Sequence, residues 1–374
     1  GNFGAANPLA AARAIARLAK RLGLPELRIG LVTGDDVSAS INLNSLAVHE
    51  ADTGLDMSSW KLVSANAYIG AAPLAEALAA GAQIVVAGRT SDPALAIAPL
   101  MHHFGWAEDD WQALAVGAAT GHLLECGSQV TGGVFWDPGF KDIPDPANIG
   151  FPIAEVGRDL SLLITKPEDT GGIVDMRTIK EQLLYEVHDP ACYITPDVTL
   201  DITGAHLSNH GKDRVAVHGL LGARRPDLLK VTACYEGSWL GEGEISVAGP
   251  NALARAKATA DVLLERVKRR GLARRARADL IGVASVHDSD DGALWRNYDG
   301  PAPQDIRIRL AVEATTRDDA DQASREALAL LCCGTAGTSG ARWRVTPRIL
   351  TRSFLVPRDQ VPTETRNLLN WPAN

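Results

Sequence analysis

The stretch AQIVVAGRTSDP, residues 82–93, decides how this chain is read. Its apolar residues Ile84 to Ala87 run without alternation until Gly88 breaks them, and a polar loop, Arg89-Thr90-Ser91-Asp92, follows. Pro93 then stands where a helix opens. A short continuous apolar run bounded by turn residues reads as a strand buried on both faces. The helical pattern before it, residues 71–80, ends at Gly81, a residue suited to the position just past a helix end. The run LRIGLVTG, residues 27–34, repeats the theme after a helix that Asn7 and Pro8 open and that reaches Leu22. A further helix is expected over 108–124. Strands alternating with helices predict an α/β chain with a mostly parallel sheet flanked by helices. Ligands of such sheets lie beyond the carboxyl ends of the strands. That rule selects Asp35-Asp36 after one strand and Arg89 to Asp92 after the other.

From about residue 135 the texture changes. The proline-rich stretch WDPGFKDIPDPANIGFP reads as a long surface loop, and β-rich runs follow at 213–222 and 228–249. A charged helix spans about 251–270, and the last 70 residues read strand, helix, strand. We expect two domains: residues 1–205, carrying the ligand loops, and residues 206–374, a C-terminal α+β (ferredoxin-like) portion. The first residues, GNFGAA, read as the loop after a strand, so an upstream segment is expected as well.

Composition narrows the function. The 374 residues are 46% apolar and 22% charged, with a formal net charge of −8 and the two signs interspersed. No basic block points to nucleic acid, and no apolar run has the length of a membrane span. The five cysteines form no C-x-x-C pair, which suits a reduced, cytoplasmic chain. His206 and His210 have zinc-like spacing but fall in a polar loop, so no metal and no cofactor is expected. SVHDSDDG, residues 285–292, lacks the distal glutamate of a calcium loop and reads as an exposed acidic turn.

Two Thr-Gly-Gly turns stand out. In ITKPEDTGG, residues 164–172, Lys166 and the turn Thr170-Gly171-Gly172 precede a helix, an arrangement that suits a phosphate or carboxylate; a plain glycine turn with a solvated lysine is the alternative. In GHLLECGSQVTGG, residues 121–133, a helix ends at Glu125. A carboxylate there opposes the helix dipole, so it is either a general acid/base or one half of an ion pair. Cys126 at the same helix end has its thiolate disfavoured and reads as packing. Thr131, Gly132 and Gly133 could supply oxyanion donors. Asp36 is a second candidate for proton transfer, and Asp35-Asp36 could equally cap a helix. Arg89 could grip a carboxylate or pair with Asp92 or Asp36.

Taken in order, TGDDV, ANAYIGAAPLAEAL, VVAGRTSDPALA, GHLLECGSQVTGGVF, GFPIAEV, ITKPEDTGG, EQLLYEVHDPACYITPDVTLDI and GKDRVAVHG resemble the acyclic terpene utilisation protein A family over residues 1 to about 355. CCGTAGTSG, residues 332–340, loosely matches that family's late glycine-rich loop, with Cys332-Cys333 a local departure. The resemblance implies catabolism of branched terpenoid acids handled as coenzyme A thioesters. It leaves open whether the chain is an enzyme, of hydratase or lyase type, or a non-catalytic accessory subunit. The expected site comprises Glu125 and Asp36 for proton transfer. Asp35, Asn66, Arg89, Asp92, Thr131, Gly132, Gly133, Lys166, Thr170, Gly171 and Gly172 are expected to hold a small-molecule substrate, such as a coenzyme A thioester, in a homo-oligomer.

Overall fold

The computed structural model describes residues 1–2, 7–24, 27–40 and 61–368. The chain forms two compact units. The first comprises residues 1–58, 64–233 and 352–374; the second comprises 59–63 and 234–351.

The first unit begins with helix α1 (Pro8–Arg21), whose Asn7 side chain accepts from the Ala10 N–H. Strand β1 (Ile29–Thr33) pairs in parallel with β3 (Ile84–Ala87) and antiparallel with β15 (Glu364–Leu368). Ala12 of α1 packs on Ile29, Leu31 and Val86, with Leu9 and Ile15 alongside. Strand β2 (Leu62–Ala67) leads to α2 (Ala72–Ala79), and α3 (Ala94–Phe104) and α4 (Trp111–Glu125) follow β3. Asp110 caps α4, and every residue of α4 from Ala113 to Leu123 is buried. Apolar all round, this is an interior helix.

Gly121 lies so close to α3 that a Cβ there would sit 2.4 Å from the Pro93 Cα. Strands β4 (Ile153–Val156), β5 (Leu162–Thr165), β9 (Val215–His218) and β8 (His206–Asn209) make an antiparallel sheet in the order β4-β5-β9-β8. Strands β6 (Tyr193–Ile194), β7 (Thr199–Asp201) and β10 (Leu221–Ala223) make a small antiparallel one. Helix α5 (Met176–Leu184) carries a reciprocal capping box between Asp175 and Thr178.

The second unit is built on the order β12-β13-β11-β14, from β11 (Leu228–Ala248), β12 (Arg275–Ile281), β13 (Asp305–Ala314) and β14 (Thr338–Pro357). β11 and β14 run on into the first unit. Ile306, Ile308, Leu310 and Val312 of β13 point to one face, where Ala256, Ala260, Leu263 and Val267 of α6 (Ala252–Arg270) meet them. Ala323 of α8 (Arg317–Ser324) and Ala327 and Leu330 of α9 (Glu326–Cys333) complete this core. Arg307 and Arg309, on alternate positions of β13, instead pair with Glu244, Glu242 and Asp279 of the flanking strands. Asp288 corrects the expectation of an exposed acidic turn. It is buried and accepts from the Leu294 and Trp295 N–H groups, holding the short helix α7 (Ala293–Arg296).

The architecture is mixed α/β, but the sheets are mostly antiparallel rather than mostly parallel. β1 and β3 pair in parallel, whereas β1 with β15, β4 with β5, β5 with β9, β8 with β9, β6 with β7, β7 with β10, β11 with β13 and β12 with β13 are antiparallel. The apolar run of β1 is buried on both faces, and that of β3 is buried at Val86 and Ala87 and half-buried at Ile84 and Val85. Burial says nothing of strand direction, and here β1 takes its second neighbour from the far end of the chain.

Candidate active site

Because β1 and β3 are parallel neighbours, the loops after them meet. Asp35 is 3% exposed, and its Oδ2 accepts from the Arg89 N–H at 2.7 Å and from the Asn66 side chain at 2.9 Å. Gly88 admits this contact, since a Cβ there would fall 1.8 Å from Asp35 Oδ1. The Arg89 guanidinium lies 4.3 Å over the Tyr68 ring and donates to Asp92 at 3.3 Å. Asn2 donates to the other Asp92 oxygen at 3.2 Å. Asp35, Asn66, Arg89 and Asp92 are therefore one network, as a shared site requires. Asp36 bridges Asn66 through its backbone, but its side chain takes no part: it is exposed, and its carboxylate accepts from the Ser38 N–H at 3.0 Å, closing a local turn.

At the end of α4 the carboxylate of Glu125 meets His122 rather than an arginine or lysine, with Nδ1 and Oε1 2.9 Å apart. The imidazole is buried, and its Nε2 has no partner among the described residues. Its ring stands edge-on to Tyr193 with centroids 5.1 Å apart. Gln182 of α5 donates to the His122 carbonyl at 2.9 Å and fixes the helix end.

Two cavities of this unit share Asp92 and Glu125. One, about 810 Å³, is walled by apolar residues of α3, α4 and β4, including Leu95, Pro99, Leu100, Phe104, Leu124 and Val156. The other, about 700 Å³, is more polar, with Tyr68, Ser91, Glu186, Tyr193 and Lys230 in its wall. Glu186 holds the left-handed backbone conformation at φ 59°, a strained state for a non-glycine residue. Burial first, then the Glu125, Asp92 and Glu186 carboxylates, raise the Tyr193 hydroxyl far above the usual phenol range. Burial and the same carboxylates push the Cys126 thiol up, against a hydrogen bond from Gln182.

The two Thr-Gly-Gly turns lie against each other: the Ile173 N–H donates to the Thr131 carbonyl at 2.8 Å. Their donors are taken within the protein. Gly132 and Gly133 donate to Gln129 and Ser128 carbonyls, Gly171 and Gly172 to Asn148 and Pro144, and the Thr131 hydroxyl to Gly150. Lys166 donates to the Thr170 carbonyl at 2.7 Å and stands 3.6 Å from Asp213. It lines a separate cavity of about 500 Å³ that shares no residue with the other two. The sequence-derived set thus divides into Asp35, Asn66, Arg89, Asp92 and Glu125 on one side and the Lys166 and Thr131 loops on the other.

The family described as acyclic terpene utilisation family protein AtuA matches residues 1–367. The chain belongs to this family. No curated protein and no solved structure gives a significant match. Membership of the AtuA family implies a part in acyclic terpene utilisation; the match names neither a reaction nor a substrate.

Several residues of this AtuA-family site escape a reading of sequence alone. His122 carries a usable signal, since it stands three residues before Glu125 and so on the same helix face. Glu186, Tyr193 and Lys230 reach the cavity only through tertiary folding, whereas Ser91 belongs to the Arg89–Asp92 loop that the strand-end rule selects. Buried Asp197 was missed too: it accepts from the Ala71 N–H at 2.7 Å, while its second oxygen has no partner among the described residues. Among the described residues no group of three or more metal-ligating side chains is placed to hold a metal. His206 and His210 lie at the β8–β9 hairpin, where Ser208 bridges His210 and His218. No helix among them is long and apolar enough to cross a membrane.

Proposed function

We propose that this protein is an enzyme of acyclic terpenoid breakdown that moves a proton on a branched acyl group, with Glu125 as the proton-transferring residue. The observation that carries this reading is the placement of Glu125: it stands where an apolar cavity meets a polar one, hydrogen-bonded to a buried histidine. A branched aliphatic chain suits the groove between α3 and α4. The carbonyl end then enters the polar cavity, and the carbons next to it pass Glu125. Dehydration there takes a proton from the carbon beside the carbonyl onto Glu125, which hands it to the hydroxyl leaving the next carbon, so that water departs and the carboxylate is restored; hydration is the reverse. His122 positions the carboxylate. The family context favours a coenzyme A thioester as the form in which the acyl group arrives.

This reading rests on Glu125 and on His122, which positions it. It does not call on the Thr131 and Gly171 turns, whose donors are occupied, nor on Asp36. The test is turnover of branched acyl-coenzyme A thioesters, followed by mass spectrometry of the products, in the protein and in Glu125→Gln. Loss of a general acid/base costs about 10²–10⁴ in kcat, with ligand-induced thermal stabilisation retained. Unchanged turnover in the variant removes Glu125 from the mechanism. Binding without any product in the wild type moves the protein to the accessory-subunit reading.

A further inference from the structure

The polar cavity holds two hydroxyls whose hydrogen-bonding capacity is unused. Ser91 is 7% exposed and lines the cavity, and its Oγ makes no hydrogen bond. Its backbone is fixed by donation to the Ile69 carbonyl at 3.0 Å, so the side chain is held by the loop that also presents Asp92. Tyr193 lines the same cavity, half-buried, with its ring braced on His122, and its hydroxyl is left to the cavity by the hydrogen bonds of the described residues. The buried Ser91 hydroxyl without a partner is costly, and a ligand that supplies an acceptor removes the cost; the half-buried Tyr193 contributes a second donor.

We propose that the Tyr193 and Ser91 hydroxyls hold the carbonyl oxygen of a neutral acyl ester or thioester, and that the site rejects the corresponding free acid. The inference rests on the Glu125 reading for the direction in which the acyl chain lies. Three features support it. Ser91 adjoins Asp92, which with Glu125 marks the junction of the two cavities, so a carbonyl just beyond the chain comes within the reach of these donors. Burial and the neighbouring carboxylates keep the phenol protonated, which makes it a donor at every physiological pH. Four carboxylates line the cavity; Asp92 and Asp227 are paired with Arg89 and Arg224, while Glu125 and Glu186 have no arginine or lysine partner, against Lys230 as the one cationic wall residue among the described residues. Arg89, behind the Tyr68 ring, is already paired with Asp92. A carboxylate ligand is repelled there, whereas a thioester carbonyl carries no charge and needs only donors.

The experiment uses the isovaleryl thioester of N-acetylcysteamine, labelled with carbon-13 at the carbonyl, and sodium isovalerate as the free-acid control. Binding is followed by calorimetry, and the bound carbonyl by infrared difference spectroscopy. The expected result is a carbonyl stretch moved to lower frequency on binding, in the wild type and equally in Glu125→Gln. Tyr193→Phe and Ser91→Ala each lose part of that displacement and bind about tenfold more weakly, the equivalent of one hydrogen bond. The free acid binds at least about tenfold more weakly than the thioester.

An undiminished displacement in both variants overturns the proposal, as does equal affinity for the free acid. A carbonyl displacement that depends on Tyr193, found together with full turnover in Glu125→Gln, sinks the proton-transfer role and leaves the carbonyl site standing. A thioester that does not bind the wild type removes both.

Discussion

Asp197 shows what a single buried carboxyl does to this protein. Burial raises it from an ordinary 3.8 to about 6, against the opposing pull of Arg358 and Arg225. Gly70 lies against it, where a Cβ would come within 2.3 Å of Asp197 Oδ1. Between about pH 4 and pH 6 the folded chain keeps a proton that the unfolded chain has released. Stability therefore falls as the pH rises through that window, and the cost is complete above it. A shift of this size corresponds to about 3 kcal/mol at most. Asp197→Asn is expected to gain up to that amount at pH 8 and almost nothing at pH 4, read by urea unfolding at the two values. An equal gain at both pH values rules out a raised Asp197 in the fold. Sequence reasoning reached Asp35, Arg89, Asp92 and Glu125 because strand ends and helix ends are local features. It did not reach Tyr193 or Asp197, and it reached Ser91 only as a member of the Arg89–Asp92 loop. Their surroundings come from packing between distant segments, 126 residues apart for Asp197 and Ala71, which no local pattern encodes.

At the scale of elements, the α3–α4 contact sets the apolar cavity. Gly121 lets the two helices approach, and Gly117 against Ile97 does the same a turn earlier. Gly121→Ala pushes α4 off Pro93. Overpacking of this kind costs about 1–3 kcal/mol, and the cavity wall contributed by Leu124 and Glu125 shifts with it. The expected outcome is a lower melting temperature together with weaker binding of branched acyl thioesters. Lost stability with unchanged affinity would separate the helix contact from the cavity. Most helices were legible, their ends marked by Asn7, Pro93, Asp175 and Gly271. Strand existence was legible as well. Strand direction was not, because Ile and Val runs such as those of β1 and β3 look the same beside a parallel or an antiparallel neighbour.

For the molecule as a whole, the chain order matters more than either unit's composition. Neither unit is one continuous segment, and the first is completed only by residues after Arg352. A chain stopped at Thr351 loses β15, the strand that covers the outer side of β1, and Leu355, which lines the polar cavity. An uncovered edge invites pairing with other chains. The shortened protein is expected to aggregate on expression; a soluble monomer with the native circular dichroism spectrum would refute the structural importance of that strand. The same order has a consequence in time. On the ribosome β1 and β3 emerge early, while Glu364–Leu368 is made some 280 residues after β3. At roughly 5–20 residues per second, the nascent chain waits on the order of 15–60 s with that edge open. Slower synthesis at low temperature prolongs the wait, so chaperone supply should govern the yield of folded protein more than cooling does.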